Sequence, residues 1–213
     1  NATTELIVTV AGLVRTAVQD ATTALVTADL TVAERVISGD ARIDELTKEI
    51  EQRSFQLLAR QAPVAGELRT VVAVLRMSYS LDRMGDLAAH IAKIARLRYP
   101  EVAAPEPVAD QIKQMAETAD SMIATAITTL ENRDAEAAAG LATADSKMDE
   151  LRSDQFHLLL SDDWEYGVEK AVDTALLGRY YERIADHAVA MGARTIYIVT
   201  GEAPEGENWP SSF

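Results

Sequence analysis

The chain has no cysteine among its 213 residues. That rules out disulfides, thiolate metal sites and cysteine nucleophiles. Helix breakers are scarce, with 10 glycines and 6 prolines. Aromatic residues make up only 5%. Basic residues are outnumbered, with 20 Lys and Arg against 34 Asp and Glu, for a net charge of −14. Such a chain lacks the basic patch that nucleic acid requires, and it is repelled by anionic membrane surfaces. It suits a basic protein partner or cations. No apolar run approaches the roughly 18 residues of a spanning helix. No signal-peptide pattern is visible, and Asn1-Ala2 reads as a remnant ahead of the natural start. The expected location is the cytoplasm, with no membrane insertion. Enzyme signatures are missing too: no Gly-rich phosphate loop, no His-Glu-x-x-His, no Gly-x-Ser-x-Gly. Glu-x-x-His, which a ferritin-like di-iron bundle uses twice, does not occur.

What is present is helical periodicity almost throughout. The spacing predicts six long helices, over about 4–28, 32–59, 64–97, 108–130, 135–160 and 166–199. The first carries Leu6, Val10, Leu13, Ala17, Ala21, Ala24 and Leu25 along one side. Thr31-x-x-Glu34 has the form of a capping box for the second, and Pro63 suits the first turn of the third. Asp134 is the expected N-cap of the fifth. Pro100, Pro105 and Pro107 mark a boundary between halves. The chain therefore divides into a three-helix bundle over 4–100, a second over 106–201, and a flexible tail over 202–213. The fold class is all-α: two tandem three-helix bundles related by an internal repeat. A period near 100 residues points to duplication, because solenoid periods run about 20–50.

The repeat is visible in the residues themselves. Leu81-Asp82-Arg83-Met84-Gly85-Asp86-Leu87-Ala88 returns 100 positions later as Tyr181-Glu182-Arg183-Ile184-Ala185-Asp186-His187-Ala188. Asp40-Ala41-Arg42-Ile43-Asp44-Glu45-Leu46 returns 105 later as Asp145-Ser146-Lys147-Met148-Asp149-Glu150-Leu151. Each copy places an acid four residues before an aspartate, which puts two carboxylates on one helix face about 6 Å apart. In the third helix the apolar stripe Leu68, Val72, Leu75, Tyr79 continues on the same face as Asp82, Asp86, His90, Lys93. A second stripe, Val71, Val74, Leu81, Met84, Ala88, Ile91, reads as the core contact. Antiparallel neighbours bring the start of helix two beside the end of helix three, so four carboxylates converge in each half. Such a cluster needs water, basic groups or a hard cation to offset its repulsion. A single pair reads as a solvated acidic face; it is the recurrence at equivalent points that favours a cation. Arg83 and Arg183 occupy matching positions inside the motif. His187 follows Asp186 as a second ligand or a packing residue, His90 reads as a polar surface histidine, and His157, among leucines, as a partly buried one.

These motifs resemble the PhoU family of bacterial phosphate-transport accessory proteins. The match is fullest over Tyr181–Ala188, which resembles the family's Glu-Arg-Ile-Gly/Ala-Asp-His-Ala form, and in the first copy Asp82, Met84 and Leu87 depart from it. Gln61–Arg69 and Phe55-x-Leu57-Leu58 are also similar to family stretches, and the wording of the helices resembles actinobacterial members. The resemblance spans about Glu5 to Gly201. It implies a cytosolic, non-enzymatic regulator that connects a phosphate ABC transporter and its ATPase with a sensor histidine kinase, while the exposed apolar stripes of the long helices suit a homodimer. Such a protein represses the phosphate-starvation response. It also implies divalent or iron ions at the acidic motifs. Carried over by position, the ligands are Asp82, Asp86, Glu182 and Asp186, with Asp40, Asp44, Asp145 and Asp149 behind them. Two other readings stand beside it: a carboxylate-bridged metal enzyme, and a helical interaction module that takes no metal.

Overall fold

A left-handed residue followed by an aspartate starts both middle helices. Ala28 and Arg133 share φ of 53°, and Asp29 and Asp134 follow them. Each aspartate accepts from the backbone N–H three residues on, Val32 at 3.0 Å and Ala137 at 2.9 Å, satisfying a donor that the first turn leaves unpaired. The computed structural model describes residues 2–204. Its helices are α1 Ala2–Thr27, α2 Leu30–Gln61, α3 Ala65–Arg98, α4 Val108–Asn132, α5 Ala135–Leu159 and α6 Gly167–Thr200. The cap at Asp134 is as expected. The cap of α2 is Asp29, not Thr31, so the Thr31–Glu34 capping box does not form. Pro63 lies in the turn between α2 and α3 because Ala62 is left-handed and Val64 extended. Gly201 closes α6 with φ of 80°, its N–H on the Tyr197 carbonyl at 2.9 Å, an ending that glycine adopts without a Cβ clash. The expected tail begins in the described residues as non-helical 202–204; residues 205–213 lie outside them.

The architecture is all-α, three helices per repeat, without strands among the described residues. α2 packs on α3 and α5 on α6 in the matching arrangement, while α3 against α6 and α1 against α4 join the repeats. One hydrophobic core runs through both, including Ile7, Val14 and Leu25 of α1, Met77, Leu81 and Met84 of α3, Ile112 and Met115 of α4, and Ile184 and Met191 of α6. Each such side chain contributes about 1.5–3 kcal/mol by leaving water. The α3 core stripe is buried as its spacing predicts. Of the expected α1 stripe Val10, Ala21, Ala24 and Leu25 are buried and Leu6 and Ala17 pack against the core, while Leu13 is exposed and Ile7, Val14 and Val18 are buried in addition. The segment 99–107 between the repeats packs through buried Ala103 and Ala104.

Polar links also join the repeats. Tyr181 is fully buried, and its hydroxyl lies 2.7 Å from Thr22 Oγ1. Because the Thr22 hydroxyl donates to the Val18 carbonyl, the tyrosine is the donor. Burial pushes the phenol up, the Thr22 bond opposing. Arg98 grips Asp173 bidentately at 2.6 and 3.1 Å, and Arg15 grips Asp120 at 2.8 and 3.1 Å.

Candidate functional site

The start of α2 lies along the far part of α3, and there the acids meet. One carboxylate oxygen each from Asp40, Asp44 and Asp86 lie within 4.8 Å of one another. Asp82 sits a turn earlier on α3, where it accepts from Thr47 Oγ1 at 3.1 Å. Asp86 is held by Arg83 Nη1 at 2.7 Å, three residues back on its own helix. Asp40 can lie against the α3 backbone because residue 85 is glycine: a Cβ there would lie 2.9 Å from Asp40 Oδ1. That oxygen is buried and accepts no hydrogen bond. Burial, then the charges of Asp44, Asp86 and Asp82, push the Asp40 carboxyl up to about 6, with Lys93 opposing. Asp82 is raised chiefly by burial and by its contact with Asp44, while Thr47 opposes.

The second repeat copies the plan. Asp145 Oδ1 is again buried without a partner. Burial and the charges of Asp149, Asp186 and Glu182 push Asp145 up to about 6. Asp186 is raised mainly by burial and Glu182, with Arg183 and Arg179 opposing. Arg183 pairs with Asp186 at 3.7 Å, as Arg83 does with Asp86. Here, however, Arg179 bonds one oxygen of Glu182, and Arg152 lies 3.6 Å from the other. No three acids of this repeat converge as Asp40, Asp44 and Asp86 do, among the described residues.

All eight predicted acids therefore lie in two equivalent places, but only the first is drawn tightly together. The first set fits a hard cation on two counts: three convergent oxygens, and a buried oxygen with nothing donating to it. The histidines take other roles. His187 is half-buried, and burial, then Arg183 and Arg83, push it down to about 4. His90 meets the Tyr180 ring edge-on at 5.6 Å. His157 is exposed, contrary to its leucine-rich surroundings in sequence, because it points off the outer side of α5. Sequence reasoning overlooked Thr47, Gly85 and Arg152. Aligning the halves at the 105-residue offset pairs Thr47 with Arg152 and would have exposed the difference.

Beside Asp82 a cleft of about 380 Å³ opens between α2 and α3, lined by Phe55, Leu75, Arg76 and Tyr79 among others. Phe55 and Tyr79 are exposed on it. No helix among the described residues is long and apolar enough to cross a membrane.

Fold and site together define a duplicated helical protein with one acidic cluster per repeat. The PhoU domain model matches residues 7–95 and 112–195. The chain is 43% identical over 201 residues to the phosphate-specific transport system accessory protein PhoU homolog 1 of Mycobacterium leprae, covering 94% of this chain and 90% of that one. It is 44% identical over 193 residues to PhoU homolog 2 of Mycobacterium tuberculosis, covering 91% of each. Crystal structures of PhoU from Pseudomonas aeruginosa and of the regulatory protein PhoU from Streptococcus pneumoniae superpose with TM-scores of 0.88 and 0.86, at 26% and 25% identity. They cover 94% and 96% of this chain, and 97% and 96% of their own. The chain belongs to the PhoU family.

Proposed function

We propose that this protein is a non-enzymatic regulator of phosphate uptake, working in the cytoplasm as an adaptor between a phosphate ABC transporter's ATPase and a sensor histidine kinase. In this role it represses the starvation response when phosphate is plentiful. The observation that carries the reading is likeness over nearly the whole chain to proteins named as accessories of the phosphate-specific transport system. The exposed Phe55–Tyr79 cleft and the acidic surface suit contact with protein partners, a second copy included.

A divalent or iron ion is the proposed ligand of the first cluster, held by Asp40, Asp44 and Asp86 with Asp82 beside them. Bound there, it supplies the positive charge that cancels carboxylate repulsion. The chain's own residues prepare for it: Thr47 fixes Asp82, Arg83 aims Asp86, and Gly85 lets Asp40 close on α3. Because the ligands come from two helices, the charge state of the cluster biases how α2 sits on α3, and hence the cleft beside it. The second cluster is a weaker candidate for the same role.

Two measurements test this. In cells lacking their own copy, expression of this chain restores repression of a phosphate-starvation reporter; unrestored repression, with the protein present and folded, refutes the adaptor role. Elemental analysis of the purified protein finds metal that disappears when Asp82, Asp86, Glu182 and Asp186 carry carboxamides. Unchanged metal in that variant refutes the site.

A further inference from the structure

The two repeats differ most where their acids meet. At the α5 position equivalent to Thr47 stands Arg152, only 8% exposed. Its Nη1 donates to Gln155 Oε1 at 3.0 Å and to the Ala175 carbonyl at 3.3 Å. Its guanidinium carbon lies 4.4 Å from the centre of the Phe156 ring. Its Nε is buried, makes no hydrogen bond and lies 3.6 Å from Glu182 Oε2. Space for this group comes from Gly178: a Cβ there would lie 2.4 Å from Arg152 Nη1 and 2.1 Å from Gln155 Oε1. In the first repeat the three equivalent positions are Thr47, Ile50 and Ser78, and the Ser78 hydroxyl donates to the Thr47 carbonyl at 3.3 Å. Three positions on two helices thus change together, and the result is a seat for one buried guanidinium.

Arginine stays protonated at any physiological pH and presents a fixed fork of donors. At the Glu182 corner of the second cluster it supplies a fixed positive charge where the first cluster has only the Thr47 hydroxyl, and it repels a second cation. Asp145 retains an unpartnered oxygen just as Asp40 does, so an orphaned oxygen alone does not separate the repeats; Arg152 and the looser convergence of the acids do.

We propose that Arg152 is the resident cation of the second cluster, so that metal from solution enters only the first cluster, at Asp40, Asp44 and Asp86. This rests on the reading of the first cluster as a cation site. The repeats then have divided roles: one responds to cation supply, the other is locked by the chain itself.

The test is Mn²⁺ bound per full-length chain, measured by equilibrium dialysis with elemental analysis. The proteins are the wild type, Asp86→Asn, Asp186→Asn, Arg152→Thr and the Arg152→Thr/Asp86→Asn double variant. Asp86→Asn weakens Mn²⁺ binding by about ten- to a hundredfold or more, while Asp186→Asn leaves it unchanged. Arg152→Thr raises the Mn²⁺ content, and the added Mn²⁺ persists in the double variant. A loss on Asp186→Asn with retention on Asp86→Asn overturns the Arg152 assignment and leaves the family of cation sites standing. So does an Arg152→Thr protein, folded by circular dichroism, with unchanged Mn²⁺. If Arg152→Thr does not fold, the two single aspartate variants decide alone. No uptake by the wild type refutes the cation site itself, and the present proposal with it.

Discussion

Asp40 and Asp145 hold corresponding places, and each is pushed up to about 6 by burial and by neighbouring carboxylates. An unfolded chain releases the same proton near pH 4. Between those values the folded state carries more protons, so metal-free stability falls as pH rises across roughly 4 to 6, and the full penalty is present above it. Each group is partly solvated, which leaves on the order of 1 kcal/mol. Asp40→Asn therefore raises the melting temperature of the metal-free protein at pH 7.5 and flattens its pH dependence, as thermal melts in chelator at pH 4.5 and 7.5 would reveal. A variant less stable at pH 7.5 than the wild type contradicts this. Gly85→Ala tests the same oxygen from the other helix. The added methyl would stand 2.9 Å from Asp40 Oδ1 and 3.2 Å from two Ile43 carbons. Crowding costs about 1–3 kcal/mol, against about 1 kcal/mol gained in helix propensity. Net destabilisation in urea and weaker Mn²⁺ uptake are expected; a neutral outcome in both would mean that the α2–α3 contact is looser than drawn.

Between elements, two bidentate ion pairs cross from one repeat to the other, and their burial separates them. Asp173 is 7% exposed at its side chain and Arg98 21%, whereas Arg15 and Asp120 are 40% and 19% exposed. Removing Arg98 strands the buried Asp173 carboxylate without its partner, a loss larger than that of an exposed pair. An exposed pair yields about 1 kcal/mol or less. Arg98→Ala should accordingly lower the urea midpoint far more than Arg15→Ala. Equal effects would show that the α3–α6 seam, not the ion pair, sets the strength of the junction. The caps obey a simpler arithmetic: Asp29→Ala and Asp134→Ala each cost about 1 kcal/mol. The similarity of their geometry predicts similar losses.

For the whole molecule, the shared core is the decisive feature. α3 and α6 each bury one face within their own repeat and another against each other. A fragment ending at residue 100 would expose the α6-facing side of α3 to water, with no other apolar surface to cover it. Calorimetry of the intact chain is expected to give one cooperative transition, and the fragment none of comparable sharpness. Two resolved transitions would make the repeats independent domains. Saturating Mn²⁺ at pH 7.5 raises the single transition through binding to the folded state alone, and raises it less at pH 5, where protons compete for Asp40.

Much of this was legible in the residues. Helix count, the 100- and 105-residue repeats and the α3 core stripe follow from periodicity, which is a local property of the chain. The cap at Asp29 was equally readable, since it lies 105 residues before Asp134, but the Thr31–Glu34 pattern competed with it and lost to the left-handed turn at Ala28. The α1 face was readable only in part: Leu13 shares the apolar spacing yet is exposed, and the contacts of α1 with α2, α3 and α4 select Ile7, Val14 and Val18 instead. The sequence by itself determined the repeated acids and the fold that aligns them. Only the tertiary structure decided that Asp40, Asp44 and Asp86 converge while in the second repeat the acids stay apart and Glu182 has a buried arginine, Arg152, beside it. Whether a charge faces its neighbours or solvent depends on packing between helices far apart in the chain, and there a single glycine at 85 or 178 sets the distance.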